Sequence, residues 1–227
     1  MAIRDTVNVL IPPKAPNLPV ATMEYSRSFQ DQLLNILRLY FNTIDNFGSS
    51  LVNTTTGGGY LRFPHIAASD TTSQYAGGNN TATVVSWNTV ESNLGFTLNS
   101  DGSATCSIPG TYKITYSLQL VNSATASEHT AYVWLKVDGS LVERSTTAFT
   151  IPKASSTNSY VCAYSEVVFD IAAGDEIRLY WATDKAATSG GTKGIYMYYE
   201  AAQVSPYERP AIPSAIGSIT FVSRSAA

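Results

Sequence analysis

The stretch "GFTLNSDGSATCSIPGTYKITYSLQL", residues 95–120, decides the fold of this chain. Its last ten residues alternate strictly between polar and apolar side chains. Side chains two positions apart lie on the same face of a β-strand, so the alternation predicts a long strand with one buried face. The intervening polar side chains would face the other way. The buried face would be formed by Tyr112, Ile114, Tyr116, Leu118 and Leu120.

Further strand-like segments lie on both sides of this stretch. The segment "AYVWLKVDGSLVERS" predicts a hairpin whose turn is Asp138-Gly139. The segments "SYVCAYSEVVFDI", "DEIRLYWAT" and "GIYMYYEAA" predict later strands, and "RFPHIAA", "ATVVSW" and "LGFTL" predict earlier ones. About ten short strands over residues 60–204 predict an all-β, antiparallel β-sandwich.

Three landmarks in this region resemble the globular-head family of complement, which shares its jelly roll with tumour necrosis factor. They are Pro109-Gly110-Thr111-Tyr112 before the long strand, the Asp138-Gly139 turn, and Gly174-Asp175 between two strands. The segment "GIYMYYEA" lies where the family's final strand belongs. The resemblance implies a jelly roll of about ten strands that forms trimers around a threefold axis.

The chain departs from that family at its N-terminus, which is neither collagen-like nor signal-bearing. None of the family's calcium-site residues is carried over. The residues that we expect in the jelly-roll core or at the trimer axis are Tyr112, Ile114, Tyr116, Leu118, Leu135 and Leu179.

Residues 21–48 form the one long segment with helical periodicity. We predict a helix from Met23 to Phe47, with Thr22 as its N-cap and Gly48 at its end. Its apolar side chains recur in a near-heptad pattern, which predicts a short trimeric coiled coil; packing against the β domain is the alternative. The predicted seam consists of Phe29, Leu33, Ile36, Tyr40, Ile44 and Phe47.

Three other segments are expected to be extended or flexible. Residues 1–20 contain four prolines and predict an extended arm that needs a partner surface to become ordered. Residues 49–59, rich in Gly and Thr, predict a flexible joint before the jelly-roll domain of residues 60–204, which we call the head. Residues 205–227 contain three prolines and then "SAIGSITFVS", which predicts a second arm with one strand-forming segment.

Composition narrows the class of protein. Charged residues make up 14% of the chain and there are 14 Tyr, which is typical of a protein that packs against other protein surfaces. A net charge of −3 without any basic run argues against nucleic-acid binding. No apolar run is long enough for membrane insertion, and the N-terminus does not resemble a signal peptide. Cys106 and Cys162 are interpreted as buried free thiols, with a disulfide as the alternative.

No catalytic, metal or cofactor site is expected, so we predict that the protein is not an enzyme. His65 and His129 are far apart and lack Cys, Asp or Glu at ligand spacing. The segment "NSDGSA", residues 99–104, resembles the start of a calcium loop. Gly110 stands where such a loop requires a Glu, so a β-turn is the better interpretation.

Both ends of the chain resemble structural proteins of tailed phages that infect marine and freshwater cyanobacteria. The resemblance rests on a proline-rich arm followed by "EYSRSFQDQLLNILRLYFNTIDN", and on "ERPAIPSAIGSITFVS" near the C-terminus. It implies a homotrimeric capsid-decorating (cement) or head-fibre protein whose partners are its own copies and the major capsid protein. The arm residues expected to contact the virion are Val7, Val9, Leu10 and Ile11.

Two other functions stay open. A tail fibre or receptor-binding protein would use the same head to recognise a host surface glycan or protein. A cellular cytokine-like or lectin-like binding module would use it outside a virus. For the leading hypothesis the expected location is the virion, on the capsid exterior or the tail, after synthesis in the host cytoplasm.

Overall fold

The computed structural model describes residues 14–20, 24–52 and 63–224. The chain divides into two compact units, Met1–Arg62 and Phe63–Ala227. Within the described ranges, helix α1 (Arg27–Val52) lies in the first unit and all strands lie in the second. The strands are β1 (His65–Asp70), β2 (Gln74–Tyr75), β3 (Thr83–Val84), β4 (Thr89–Leu94), β5 (Phe96–Leu98), β6 (Ala104–Cys106), β7 (Gly110–Asn122), β8 (His129–Val137), β9 (Ser140–Leu141), β10 (Thr147–Ile151), β11 (Ser159–Ile171), β12 (Glu176–Thr183), β13 (Ile195–Met197) and β14 (Ala215–Ser223).

Helix α1 begins later than predicted because Ser26 caps it. The Phe29 N–H donates to Ser26 Oγ at 3.3 Å, and Glu24 and Tyr25 are not helical. Thr22, the predicted N-cap, lies outside the described residues. Residues 14–20, the described part of the predicted arm, contain no helix or strand. Nowhere in the described ranges is a helix both long and apolar enough to cross a membrane.

The predicted end of the helix at Gly48 is wrong, because α1 continues to Val52. A glycine ends a helix by adopting a left-handed conformation, and Gly48 does not have a positive φ. Left in helical conformation, a glycine costs only about 1 kcal/mol relative to alanine. The predicted joint, residues 49–59, therefore begins inside the helix, and its residues 53–59 lie outside the described ranges.

The strands form two antiparallel sheets. In sheet A, β7 pairs with β11 along one edge and with both β13 and β14 along the other. β13 pairs in turn with β2, and β14 with β1, which pairs with β4. Sheet B has the order β10-β8-β12-β6-β5, with β3 beside β12 and β9 beside β8. The chain crosses repeatedly between the sheets, and one hydrophobic core contains residues of both. This arrangement is a jelly-roll β-sandwich, so the predicted fold class is confirmed.

Strand β7, which the alternating stretch predicted, is paired along both edges. β11 follows one edge over its whole length, from Gly110 opposite Ile171 to Asn122 opposite Ser159. The other edge is shared between β14, which pairs with residues 111–118, and β13, which pairs with residues 120–122. Because β7 lies inside the sheet, its apolar face is fixed toward the core.

The predicted C-terminal arm is wrong for Ala215–Ser223, which form β14 in the interior of sheet A between β7 and β1. The three preceding prolines favour extended chain, and the same extended backbone leads directly into a strand. Gly110 shows how closely β14 packs, since a Cβ there would lie 2.5 Å from the Phe221 ring. The segment predicted as the final strand forms only the short β13.

The Asp138-Gly139 hairpin is confirmed. Asp138 and Gly139 have φ values of 48° and 79°, as a type I′ turn requires, and Val137 pairs with Ser140 across it. Gly174, at the third landmark, also has a positive φ of 96°. The two glycines therefore stand where other residues would be strained.

Candidate functional site

The face of sheet A that points away from sheet B carries exposed apolar side chains on β11 and β14. They alternate with core residues, because side chains two positions apart share a face of a strand. Their exposed fractions lie between 47% and 57%. We call this set the association surface: Tyr164, Val168, Ile216 and Val222.

Four of the polar side chains between these residues are paired within the sheet. The Thr115 and Ser218 hydroxyls lie 2.7 Å apart, and the Lys113 ammonium lies 3.7 Å from the Glu166 carboxylate. Covering a surface is costly when it leaves polar or charged groups unpaired. Because these groups have partners in the sheet, the association surface is suited to a protein–protein contact.

Four tyrosines form a continuous row across one end of the same face. Tyr75 and Tyr196 are cross-strand partners whose rings stack, with centroids 5.3 Å apart. Tyr198 lies edge-on to Tyr196 at 6.3 Å, and Tyr160 lies edge-on to Tyr198 at 5.7 Å. Burial raises the pKa of the Tyr196 and Tyr198 hydroxyls. We call these four residues the tyrosine row.

A polar pocket of about 320 Å³ opens beside the tyrosine row, where β7 ends and β11 begins. Its walls include Tyr75 and Tyr196, Asn158, and residues 187, 188 and 190–193 from the connection between β12 and β13. Thr192 N–H donates to Thr188 Oγ1 at 2.8 Å, which closes the loop into a tight turn. Sequence alone does not reveal this pocket, because its walls come from distant segments. Its local signal is the polar tract "TSGGTK" followed by "YMYY".

The predicted seam residues share one face of α1, and each is partly buried. Leu34, Leu39 and Phe41 are 63%, 57% and 57% exposed, so apolar surface extends beyond the seam. An apolar stripe of this kind is typical of a helix that packs against a partner. The coiled coil remains a prediction. The seam residues are Phe29, Leu33, Ile36, Tyr40, Ile44 and Phe47.

The six residues predicted for the core or the trimer axis all lie in the core between the sheets. Tyr112 also donates a hydrogen bond from its hydroxyl to the Ile108 carbonyl at 2.6 Å. Of the three tryptophans, Trp181 is fully buried in the same cluster. The arm residues predicted to contact the virion, Val7, Val9, Leu10 and Ile11, lie outside the described residues. The core residues are Tyr112, Ile114, Tyr116, Leu118, Leu135 and Leu179.

The two histidines lie apart and have ordinary polar partners. His65 Nε2 lies 2.9 Å from Ser92 Oγ. His129 Nδ1 lies 3.1 Å from a carboxylate oxygen of Asp184. Desolvation opposes ionisation of Asp184, but hydrogen bonds from His129 and Thr130 outweigh it and lower the pKa of the carboxyl. In the part of the chain that the structure describes, no group of three or more His, Cys, Asp or Glu is placed to hold a metal ion.

The segment "NSDGSA" forms a turn that joins β5 to β6. Asp101 accepts hydrogen bonds from the hydroxyl and the backbone N–H of Ser103, at 2.7 and 3.0 Å. These bonds, together with one from Arg178, lower the pKa of Asp101 from 3.8 to about 2. Gly102 has a φ of 81°, which favours glycine at this position. The carboxylate therefore holds the turn.

The two cysteines are free thiols, but they differ in exposure. Cys106 is buried in the core, and burial raises the pKa of its thiol. Cys162 is exposed, so the prediction that it is buried is wrong. It lies on β11 between Tyr160 and Tyr164, on the face of sheet A that points away from the core. The apolar residues beside it in the sequence include exposed side chains of that face.

Comparisons with solved structures find many similar chains, among them the following two. The globular domain of zebrafish complement 1qA protein is 12% identical with a TM-score of 0.42, over 72% of this chain and 99% of that chain. Murine APRIL is 16% identical with a TM-score of 0.42, over 70% of this chain and 100% of that chain. No protein-family model matches the sequence, and the comparison with curated proteins gives no match. The strand order itself defines the fold.

Proposed function

We propose that this chain is a homotrimeric structural protein of a tailed-phage virion, acting as a capsid-decorating (cement) or head-fibre protein. The observation that carries self-association is the association surface. Four apolar side chains of one sheet face are about half exposed in the single chain. Their burial against copies of the same chain would remove that apolar area from water, which is the main source of stability in protein association.

The helix also supports self-association. Its seam places apolar side chains at near-heptad spacing, which suits a parallel bundle of identical helices. The strict heptad repeat alternates steps of four and three residues, but the step from Tyr40 to Ile44 is four where three is expected. The bundle would be locally unwound there. A threefold axis shared by helix and head would bring both apolar surfaces together in one trimer.

The virion role rests on the sequence resemblance of the two ends and on the low-charge, Ser/Thr/Asn-rich surface. A trimer fits the local threefold positions of an icosahedral shell. The proline-rich arm would lie on the major capsid protein, where an extended segment can add to an exposed sheet edge. In this proposal the protein is made in the host cytoplasm and joins the exterior of the particle. It acts by binding, without enzymatic activity.

Two measurements test the proposal. Sedimentation equilibrium should give three times 24.4 kDa, about 73 kDa; a stable monomer at micromolar concentration would contradict the trimer. Cryo-electron microscopy of virions should show density for the protein at local threefold positions of the capsid. Density at the tail alone would instead support the tail-fibre alternative.

Attachment can be tested with a chain that begins at Ala21. It keeps the helix and the head, so it should still form trimers. It should bind particles that lack the protein much more weakly than the full chain does, because it has lost the arm. Equal decoration by both chains would assign attachment to another part of the molecule.

A tail fibre or receptor-binding protein is the second candidate function. The polar pocket and the tyrosine row favour it, because both lie at one end of the head and neither is required by a purely structural role. A pocket of this kind suits recognition of a small polar group on another surface.

A further inference from the structure

We propose that the polar pocket beside the tyrosine row binds a saccharide that carries a carboxylate. This inference goes beyond the virion role and does not depend on it. It applies equally to a head carried by a capsid or by a tail.

The pocket has the size and lining that a sugar requires. Its volume of about 320 Å³ lies at the lower end of ordinary small-molecule sites. The polar residues Thr188, Thr192 and Asn158 are among those that line it, whereas most drug-like sites have a predominantly apolar lining. A ligand with many hydroxyls can exchange hydrogen bonds with such a wall.

The stacked rings of Tyr75 and Tyr196 supply the apolar side of the site. The ring planes differ by only 13°, so the two side chains form one aromatic stack at the side of the pocket. A pyranose presents C–H groups on one face and hydroxyls at its rim, and tyrosine combines an aromatic ring with a hydroxyl. The ring pair therefore complements the sugar ring while the threonines and the amide complement its hydroxyls.

Lys193 determines the charge of the ligand. It is the single charged residue among those that line the pocket, and no lining residue is acidic. Among the described residues the side chains of Lys193 and Asn158 have no hydrogen-bond or ion-pair partner. The ammonium is therefore free to pair with an anion, and a charge-assisted hydrogen bond to a carboxylate is stronger than a neutral one.

The position of the pocket fits contact with another surface. Ser123, which directly follows β7, lines the pocket. Phe63 stacks on Phe221 of β14, which pairs with Tyr112 near the start of β7. β7 has 13 residues, and at roughly 3.3 Å per residue its two ends lie about 40 Å apart. The pocket is thus at the opposite end of the head from the point where the chain enters it.

Binding of the full-length protein to a printed glycan array tests the proposal. The array should hold glycans that end in uronic or sialic acids beside neutral counterparts of the same length. We expect an acid-terminated glycan to bind above its neutral counterpart. If no acidic glycan binds above its neutral counterpart, the proposal is overturned.

Matched variants then assign the site by calorimetric titration with the best acidic glycan. Lys193→Gln should weaken binding about tenfold, because a hydrogen bond to a charged group contributes about that factor. Lys153→Gln, an exposed lysine that does not line the pocket, should leave the affinity unchanged. Asn158→Ala should also weaken binding and, like Lys193→Gln, should preserve the unfolding temperature. If neither pocket variant changes the affinity, the acidic glycan binds elsewhere and the assignment fails.

Discussion

The two faces of sheet A are built from alternate residues of the same strands, yet they meet different surroundings. On the inner face, Tyr116 of β7 is 2% exposed and packs in the core. On the opposite face, Tyr164 of the neighbouring β11 is 57% exposed, although it lies beside the residue that pairs with Tyr116. The same residue type is therefore buried on one face of the sheet and exposed on the other. The difference is decided by what covers each face.

Removing β14 should have the largest effect, because it would leave the inner face incomplete. We expect a chain that ends at Ser214 to lose its cooperative unfolding transition, since β14 fills the sheet between β7 and β1 and contributes the buried Ala215 and Ile219. Circular dichroism during heating measures this. A chain that ends at Arg224 is the control and should unfold like the parent. If the shorter chain also unfolds cooperatively at the parental temperature, β14 is dispensable.

Tyr116→Ala tests the inner face directly. Truncation of a buried aromatic side chain should lower the free energy of unfolding by about 3–5 kcal/mol, through lost burial and a residual cavity. Urea denaturation measures the change. Tyr164→Ala makes the same chemical change on the opposite face and serves as the matched control. Equal losses in the two variants, measured below the concentration at which the chain associates, would mean that the faces do not differ.

Tyr164→Asp tests the opposite face by placing a charge on the association surface. A buried, unpaired carboxylate is unfavourable, so the trimer should weaken and sedimentation should shift toward the 24.4 kDa species at micromolar concentration. The free energy of unfolding of the dissociated chain should change by about 0.5 kcal/mol or less, as for an ordinary surface position. Tyr132→Asp on sheet B is the control, since Tyr132 is also exposed and lies on the other sheet. Equal weakening by both variants would remove the distinction between the sheets.

A variant of Asp101 tests whether a polar turn between two strands adds stability that does not depend on either face of sheet A. Its folded pKa of about 2 is below the ordinary 3.8, so the carboxylate contributes stability that is present above pH 3.8 and is lost as the pH falls through about 2. The unfolding temperature of Asp101→Asn should thus be lower than that of the parent at neutral pH, and the two curves should converge near pH 2. Glu143→Gln, at an exposed position, is the control. A difference that stays constant across this range would contradict the linkage.

We expect the smallest effect on the rate at which Cys162 reacts with a maleimide. Mass spectrometry measures this rate. Cys162 lies beside Tyr164, so its thiol should react slowly in the trimer and faster in Tyr164→Asp. Cys106 should react only on unfolding, because it is buried in the core. Equal rates for Cys162 in parent and variant would indicate that this part of the face stays open in the assembly.

Several features of the head could be predicted from sequence because they depend on local rules. Strict alternation identified β7, and the Asp138-Gly139 turn identified the hairpin of β8 and β9. The position of β14 could not be predicted in this way. Its partner strands, β1 and β7, lie far from it along the chain, and the prolines before it are equally compatible with a free arm.

The candidate sites also differ in whether they can be predicted from local sequence. The apolar stripe of α1 is visible in the sequence, because helical periodicity brings residues of one segment onto one face. The association surface joins β11 to β14, and the polar pocket joins residues as distant as Tyr75, Asn158 and Lys193. No spacing rule connects such positions. The burial of Cys162 was mispredicted for a related reason, because apolar neighbours on a strand can belong to either face.

The sequence by itself determined that this protein is an antiparallel β-sandwich with a preceding amphipathic helix, because alternation, turn residues and helical periodicity act within single segments. Only the tertiary structure decided which segment completes sheet A, which tyrosines are buried, and which distant residues meet in a pocket. Those outcomes depend on the pairing of strands far apart along the chain. Gly110 illustrates the limit, since its need for a small side chain arises from the ring of Phe221, more than a hundred residues away.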